Sequence, residues 1–181
     1  VVMIDLVVAG LDNIQFLRQQ NLGLILHGHR AGHSMFTKNP RHGLNMFLLA
    51  KLARLVGIDQ LHTGTVVGKM EGTAKEVTAI NQEMEEDWFG VNKEMSDWSE
   101  IKPVLPIASG GLHPGLVEKL VKILGTDLVI NFGGGLHGHP DGSIAGARAC
   151  RQAVDAVMKK IAARKYAETH PELKRALEYW K

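Results

Sequence analysis

The chain has 181 residues, of which 45% are hydrophobic and 22% charged, so it can bury one ordinary core and is neither disordered nor two large domains. Its 21 basic and 19 acidic residues leave a net charge of +2, too small for nucleic-acid binding by bulk electrostatics. Cys150 is the only cysteine, which excludes an internal disulfide and a multi-thiolate zinc site. There is no apolar run of about 18 residues and no signal-peptide pattern. The composition predicts a cytoplasmic protein with no membrane or nucleic-acid partner.

Five short apolar runs predict buried strands, at residues 1–8, 22–29, 58–64, 104–110 and 127–133. Helical patterns follow these strands, at residues 13–20, 43–56, 73–85, 114–124, 143–165 and after Pro171. Continuous apolar strands that alternate with helices indicate an α/β fold with a parallel sheet covered on both faces. Periodicity leaves open whether this sheet is doubly wound or part of a barrel.

Polar residues and glycines cluster where the predicted strands end, as HGHR at 27–30, HTG at 62–64, SGG at 109–111 and GGG at 133–135. The carboxyl ends of parallel strands form the active-site face of such folds. Glycine loops after the last two strands predict a phosphate site, because their backbone N–H groups can face an anion. Either loop alone is equally well explained as a tight turn.

The run from Gly133 to Gly138 also matches G-x-G-x-x-G, the fingerprint of dinucleotide-binding folds. It follows the last predicted strand, however, so no later strand can carry the acid that binds the ribose. The sequence therefore disfavours a dinucleotide site.

His27 and His29 lie two residues apart on a predicted strand, so they share a face and could chelate a metal, although no third ligand is evident. His29, Arg30 and His62 are stronger candidates because each lies at a strand end, whereas the alternative for His33, His42, His113 and His170 is a hydrogen-bonded core histidine or a solvated one. Lys69 lies in a glycine-bracketed loop that could close over a substrate. The alternative for Lys69 is a solvated loop lysine.

Four motifs carry a resemblance to a known family, namely LHGHRAGH at 26–33, DQLHTGTVVGKMEG at 59–72, LPIASGG at 105–111 and FGGGLHGHPDG at 132–142. In this order they resemble the large subunit of ribulose-1,5-bisphosphate carboxylase/oxygenase (RuBisCO), above all its archaeal type III and II/III forms. The resemblance implies strands four to eight of a TIM (β/α)8 barrel. Residues 1–165 would form the partial barrel and 166–181 a C-terminal helical tail.

The resemblance also implies roles for individual residues. His29 corresponds to the catalytic histidine, and Lys69 to the mobile-loop lysine that stabilises the carboxylate formed as CO2 adds to the enediolate. Arg30 and His62 would hold one phosphate of the substrate. The sugar backbone and the other phosphate would be bound by Ser109, Gly110, Gly111, Asn131, Gly133 and Gly134. Asn131 stands where the family more often has glutamine.

By the same resemblance, the chain is the C-terminal catalytic portion of a carboxylase that converts ribulose 1,5-bisphosphate and CO2 into two 3-phosphoglycerates, with O2 as the competing substrate. The family's Mg²⁺ and carbamylated lysine belong to a region with no counterpart here, so no metal ligand is expected on this chain. A complementary N-terminal RuBisCO fragment and a homodimer-based oligomer are implied, and the isolated chain is expected to be inactive. The alternatives are a non-catalytic sugar-phosphate-binding or scaffold half-barrel and a RuBisCO-like enolase or isomerase.

Overall fold

The computed structural model describes residues 1–39, 41–68, 73–86, 88–89, 96–98 and 100–181. Its strands are β1 Val2–Asp5, β2 Leu26–His29, β3 Gln60–His62, β4 Trp88–Phe89, β5 Ser96–Asp97, β6 Leu105–Ser109 and β7 Val129–Asn131. Its α-helices are α1 Leu6–Ala9, α2 Leu11–Gln19, α3 Ser34–Thr37, α4 Met46–Leu55, α5 Ala74–Glu85, α6 Val117–Leu124, α7 Gly134–His137, α8 Gly142–Met158, α9 Ala163–Tyr166 and α10 Pro171–Tyr179. Short 3₁₀ helices cover Pro114–Leu116 and Ala167–Thr169.

Five strands form one sheet in the order β1-β2-β3-β6-β7, while β4 and β5 form a separate antiparallel pair. The pairs β1–β2, β2–β3 and β3–β6 are all parallel. The register places Asp5 beside His29 and His62 beside Ile107. The predicted α/β fold with parallel strands is confirmed, and the strand ends carry the polar residues singled out above.

The first strand is shorter than predicted, because Asp5 ends it and begins a helix. One carboxylate oxygen of Asp5, Oδ1, accepts hydrogen bonds from the backbone N–H groups of Val7 (3.0 Å) and Val8 (3.2 Å). This N-cap outweighs the strand preference of the valines, so the prediction of a strand over 1–8 is wrong after residue 5. The cap matters because it also fixes the Asp5 side chain at the end of β1.

The long helix predicted over 143–165 is interrupted. Helix α8 ends at Met158, and Lys160 takes a left-handed backbone conformation with φ of 56°. The N–H of Ile161 then bonds back to the Ala156 carbonyl at 2.9 Å, as in a C-terminal helix cap. The chain restarts as α9 only at Ala163, which turns the C-terminal segment back onto α8.

The structure divides into two compact units. The first contains residues 1–63, 73–107 and 127–129. Its core joins side chains from β3, α1, α2, α4 and α5 and from the segments before β3 and β6, and these are Leu6, Ile14, Met46, Leu49, Ala50, Ala53, Ile58, Leu61, Ile80, Met84 and Val104. Leu61 anchors β3 in this core, and β2 is paired with β3, so the core supports the two strands that end in His29 and His62.

The second unit contains residues 64–72, 108–126 and 130–181. Its core comprises Val117, Ala153, Ala156, Tyr166, Ala167 and Leu173. Leu173 and Ala176 of α10 are both fully buried, at 0% exposure. The predicted division of the chain at residue 165 stays a prediction. Within the part of the chain that is described, no helix is long and apolar enough to cross a membrane.

Candidate functional site

His27 on β2 and His62 at the end of β3 form the centre of a histidine cluster in the first unit. Their Nε2 atoms lie 2.8 Å apart, and His27 Nδ1 lies 3.0 Å from Oε1 of Gln60. The amide oxygen of Gln60 only accepts, so His27 carries its proton on Nδ1 and presents a lone pair at Nε2. His62 therefore donates from Nε2–H, and the hydrogen-bond network assigns the tautomer of both rings.

Burial and charge keep the His62 ring neutral. It is 5% exposed, and the ring of His29 packs edge-on against it with centroids 4.6 Å apart. Burial, followed by the charges of His29, His27 and Arg30, lowers the pKa of His62 to about 4. Near neutral pH this ring is an uncharged hydrogen-bonding group beside a permanently charged guanidinium.

Asp5 is a site residue that sequence reasoning missed. The β1–β2 register brings its Oδ2 to 3.4 Å from His29 Nδ1, while the backbone N–H of Ala31 lies 3.1 Å from the same nitrogen. Nδ1 can accept from Ala31 only without its proton, and can donate to Asp5 only with it. Burial raises the pKa of Asp5, but the hydrogen bonds from Val8 and Val7 outweigh it and the net pKa is lowered. Asp5 is thus an ionised acceptor beside His29, the residue predicted to be the catalytic histidine.

The predicted metal-chelating pair of His27 and His29 takes a different arrangement. Both rings pack edge-on against His62, with centroid distances of 4.9 and 4.6 Å. Over the described ranges there is no group of three or more His, Cys, Asp or Glu side chains that could hold a metal ion. These residues therefore do not fit a resident Mg²⁺ site.

Arg30 follows β2 directly and is 8% exposed. Its charge is one of the causes that lower the pKa of His62, so the two groups lie within electrostatic reach. The structure thus brings together His29, Arg30 and His62, all three predicted from the strand ends.

The glycine loop after β6 belongs to the second unit. Gly110 and Gly111 have φ of 101° and 67°, a region that other residues rarely adopt. A Cβ on Gly68 would lie 2.8 Å from the Gly110 carbonyl oxygen, so the segment before Lys69 packs directly on this loop. Lys69 itself lies outside the described residues, and its role stays a prediction.

The glycine loop after β7 has open space beside its first two glycines and none beside the third. A Cβ on Gly133 or Gly134 would meet nothing within 4 Å, whereas one on Gly135 would overlap the Leu112 carbonyl and lie 2.6 Å from the His113 Cα. Gly135 therefore lets the two glycine loops touch. The first N–H groups of α7 have no acceptor within that helix. Neighbouring loops of this unit thus present the predicted Ser109, Gly110, Gly111, Gly133 and Gly134, with Asn131 exposed on β7.

The family model for the ribulose bisphosphate carboxylase large chain, catalytic domain, matches residues 1–180. The chain belongs to this RuBisCO family. The match confirms the family that the four motifs indicated.

Archaeal RuBisCO proteins are close relatives. The chain is 50% identical over 181 residues to the ribulose bisphosphate carboxylase of Pyrococcus abyssi, and 51% identical over 184 residues to that of Methanocaldococcus jannaschii. These alignments cover 99% of the chain in both cases, but only 40% and 43% of the relatives. The chain thus spans about two-fifths of the length of the RuBisCO proteins it matches.

Two solved structures confirm the fold. The octameric ribulose-1,5-bisphosphate carboxylase/oxygenase of Pyrococcus horikoshii OT3 superposes with a TM-score of 0.88 at 49% identity, over 98% of this chain and 41% of that one. The dimeric archaeal Rubisco of Hyperthermus butylicus superposes with a TM-score of 0.89 at 45% identity, over 98% and 42%. The parallel sheet is therefore part of the RuBisCO barrel, and not a doubly wound sheet.

Proposed function

We propose that this chain carries the substrate-binding strand ends of a ribulose-1,5-bisphosphate carboxylase/oxygenase. The observation that supports this most is the grouping of His29, Arg30 and His62 in a chain about 50% identical to named carboxylases. The reaction proposed is addition of CO2, or O2, to the enediolate of ribulose 1,5-bisphosphate. The assignment rests on the family together with this geometry.

In this proposal the histidine cluster holds one phosphate. Arg30 supplies a permanent charge with a fixed fork of donors, while His62 is neutral with its proton on Nε2. A phosphate dianion beside His62 favours the imidazolium and raises its pKa from about 4. We expect phosphate binding to be accompanied by proton uptake at this ring.

The two glycine loops hold the other phosphate through backbone N–H groups. Gly133 and Gly134 have open space where a side chain would stand, so an anion can approach the backbone closely. Ser109, at the end of β6, and the exposed Asn131 are assigned to the sugar backbone. No step of this binding requires a side-chain charge from the loops.

His29 is proposed to exchange a proton with the substrate, so that the proton released by one is taken up by the other. The ionised Asp5 accepts a hydrogen bond from Nδ1–H when that nitrogen is protonated, and the Ala31 N–H donates to Nδ1 when it is not. Lys69, which follows Gly68 in the sequence, is assigned to the carboxylate that forms on CO2 addition.

The magnesium ion of the reaction is placed outside this chain. The described residues include no group that could hold it, so we assign to this chain only anion binding and proton handling. A complementary polypeptide would supply the metal and the carbamylated lysine. The octameric and dimeric relatives favour a homodimer-based assembly, and a cytoplasmic location agrees with the composition.

The test begins with native mass spectrometry of the purified protein, which shows whether a second polypeptide accompanies the 19.8 kDa chain. The same material is assayed for CO2 incorporation and, separately, for exchange of the substrate proton lost on enolisation. Lys69→Ala should abolish carboxylation while part of the enolisation survives, and the exposed Lys75→Ala is the matched control. Equal loss of both activities would contradict the role of Lys69. Phosphate binding without carboxylation in any assembly would favour the binding-module alternative.

A further inference from the structure

The residue that follows helix α10 contacts the glycine loop after β6. The indole of Trp180 stacks on the imidazole of His113, with ring centroids 5.2 Å apart and an interplanar angle of 17°. His113 lies two residues beyond Gly111. The Trp180 side chain is thus stacked on the loop that is proposed to bind phosphate.

The same indole contacts the segment that follows the second glycine loop. The His139 ring meets it edge-on at 6.3 Å, and a Cβ on Gly138 would lie 3.6 Å from its ring. His139 is held on both nitrogens, because Nε2–H donates to the Glu172 carbonyl (3.0 Å) and Nδ1 accepts from the Asp141 N–H (3.1 Å). The segment 138–139 is therefore contacted by both ends of α10, by the Glu172 carbonyl in its first turn and by Trp180 just after its last residue.

The two loops are also in contact with each other. Gly135 packs against Leu112 and His113 so closely that no side chain fits. Trp180 thus lies against two segments that already touch, and its removal affects both together. A contact at a single loop would not have this property.

The stack is between two uncharged rings. Burial lowers the pKa of His113, and its Nδ1 is buried without a hydrogen-bond partner among the described residues. The contact therefore comes from flat apolar surfaces and not from a cation over an aromatic face. Such a contact is insensitive to salt and resists tilting of either ring.

We propose that Trp180 is a positioning residue that clamps the loops 109–113 and 133–139 in the arrangement that binds phosphate. The role of the clamp in phosphate binding rests on the proposed function. Its effect on the order of the two loops can be measured without a ligand. The predicted C-terminal helical tail is, in this view, part of the substrate site's support.

Hydrogen–deuterium exchange of the full chain tests the clamp directly. In Trp180→Ala we expect the amides of 109–113 and 133–139 to exchange about three- to tenfold faster, while those of α8 beyond residue 146 stay unchanged. Trp180→Phe keeps a flat ring and should restore most of the protection. Glu178→Gln, at an exposed position of α10 two residues before Trp180, is the matched control. Unchanged exchange in the two loops, or a uniform rise over the whole chain, would overturn the clamp.

A second measurement separates the clamp from the phosphate assignment. Inorganic phosphate is titrated while the amide resonances of Gly110, Gly111, Gly133 and Gly134 are followed. If the clamp serves binding, Trp180→Ala weakens the phosphate affinity by about the factor found for exchange, and Trp180→Phe does not. Faster loop exchange in Trp180→Ala, together with no response of the wild-type resonances to phosphate, would support the clamp and contradict the phosphate site. Should Trp180→Ala fail to fold, His113→Ala removes the same stack from the other side and must produce the same exchange pattern.

Discussion

The Nε2 atoms of His27 and His62 lie 2.8 Å apart in the protein interior, so the two rings share one proton between them. A second proton at this contact would set two N–H groups against each other. Gln60 decides which ring donates, because its Oε1 accepts from His27 Nδ1. The protonation of the predicted phosphate-binding His62 is therefore set by His27 and Gln60, neither of which was predicted to bind phosphate.

The first prediction concerns stability in acid. Because the pKa of His62 falls from 6.5 to about 4 on folding, the unfolded chain binds the extra proton between these values. The contribution of the neutral His62 ring to the free energy of unfolding is therefore fully present above about pH 6.5. About 2 to 3 kcal/mol of it is lost as the pH drops towards 4. Urea unfolding at several pH values measures this loss.

The matched variant for this experiment is His62→Gln, which keeps a polar side chain but has no group that takes up a proton in this pH range. Its free energy of unfolding should lack that part of the acid dependence, whereas substitution of the exposed His42 should leave the dependence intact. An acid dependence that is identical in wild type and His62→Gln would contradict the neutral, buried ring.

The second prediction is that Glu85 makes the free energy of unfolding depend on pH in the opposite sense. Burial, then the charges of Asp127 and Glu86, raises its pKa from 4.5 to about 7, and its Oε1 is buried without a hydrogen-bond partner in the described part of the chain. The folded state holds the proton longer, so stability falls as the pH rises from 4.5 to 7. Glu85→Gln should raise the free energy of unfolding by about 1 to 3 kcal/mol at pH 8 and change it little at pH 4.5. Asp127→Asn should reproduce part of this gain, and no gain at high pH would refute the assignment.

The third prediction is that replacing Arg54 lowers the free energy of unfolding by a large amount that does not depend on pH. It is fully buried, and its guanidinium donates to the carbonyls of Glu83 (2.6 Å), Glu86 (2.8 Å) and Ile101 (3.0 Å) while lying 4.8 Å from the Trp98 ring. Arg54→Met leaves three carbonyls without that donor and should cost about 3 to 5 kcal/mol.

The control for Arg54 is Arg41→Met, an exposed arginine whose loss should change stability by about 0.5 kcal/mol or less. Urea unfolding monitored by tryptophan fluorescence and by circular dichroism measures both variants. A cost for Arg54→Met as small as that of the control would show that the carbonyls find water instead.

The sequence predicted the parallel α/β sheet and the polar strand ends because continuous apolar runs and glycines carry strong local signals. It did not reveal Asp5 as a partner of His29, since that pairing depends on the register between β1 and β2. The helix break at Lys160 was missed for a related reason, because a left-handed lysine has no sequence signature comparable to glycine. Contacts made across long separations, such as Trp180 on His113, are invisible to periodicity.

The last prediction compares two glycines of the loops proposed to bind phosphate, Gly111 with its positive φ and Gly134 with its open surroundings. Gly111 has φ of 67°, so Gly111→Ala places a side chain in a disfavoured backbone conformation and should cost about 1 kcal/mol of stability. Gly134 has open space around it, so Gly134→Ala should fold normally.

Gly134→Ala should lose phosphate affinity although it folds normally. A methyl group on Gly134 projects into the space through which we expect phosphate to reach the backbone, and the phosphate affinity should fall about tenfold or more. Isothermal calorimetry with inorganic phosphate, alongside urea unfolding of the same preparations, gives both quantities. Wild-type phosphate affinity in Gly134→Ala would show that the open face of this loop is not where the anion binds, and would move the site to the Gly110–Gly111 side.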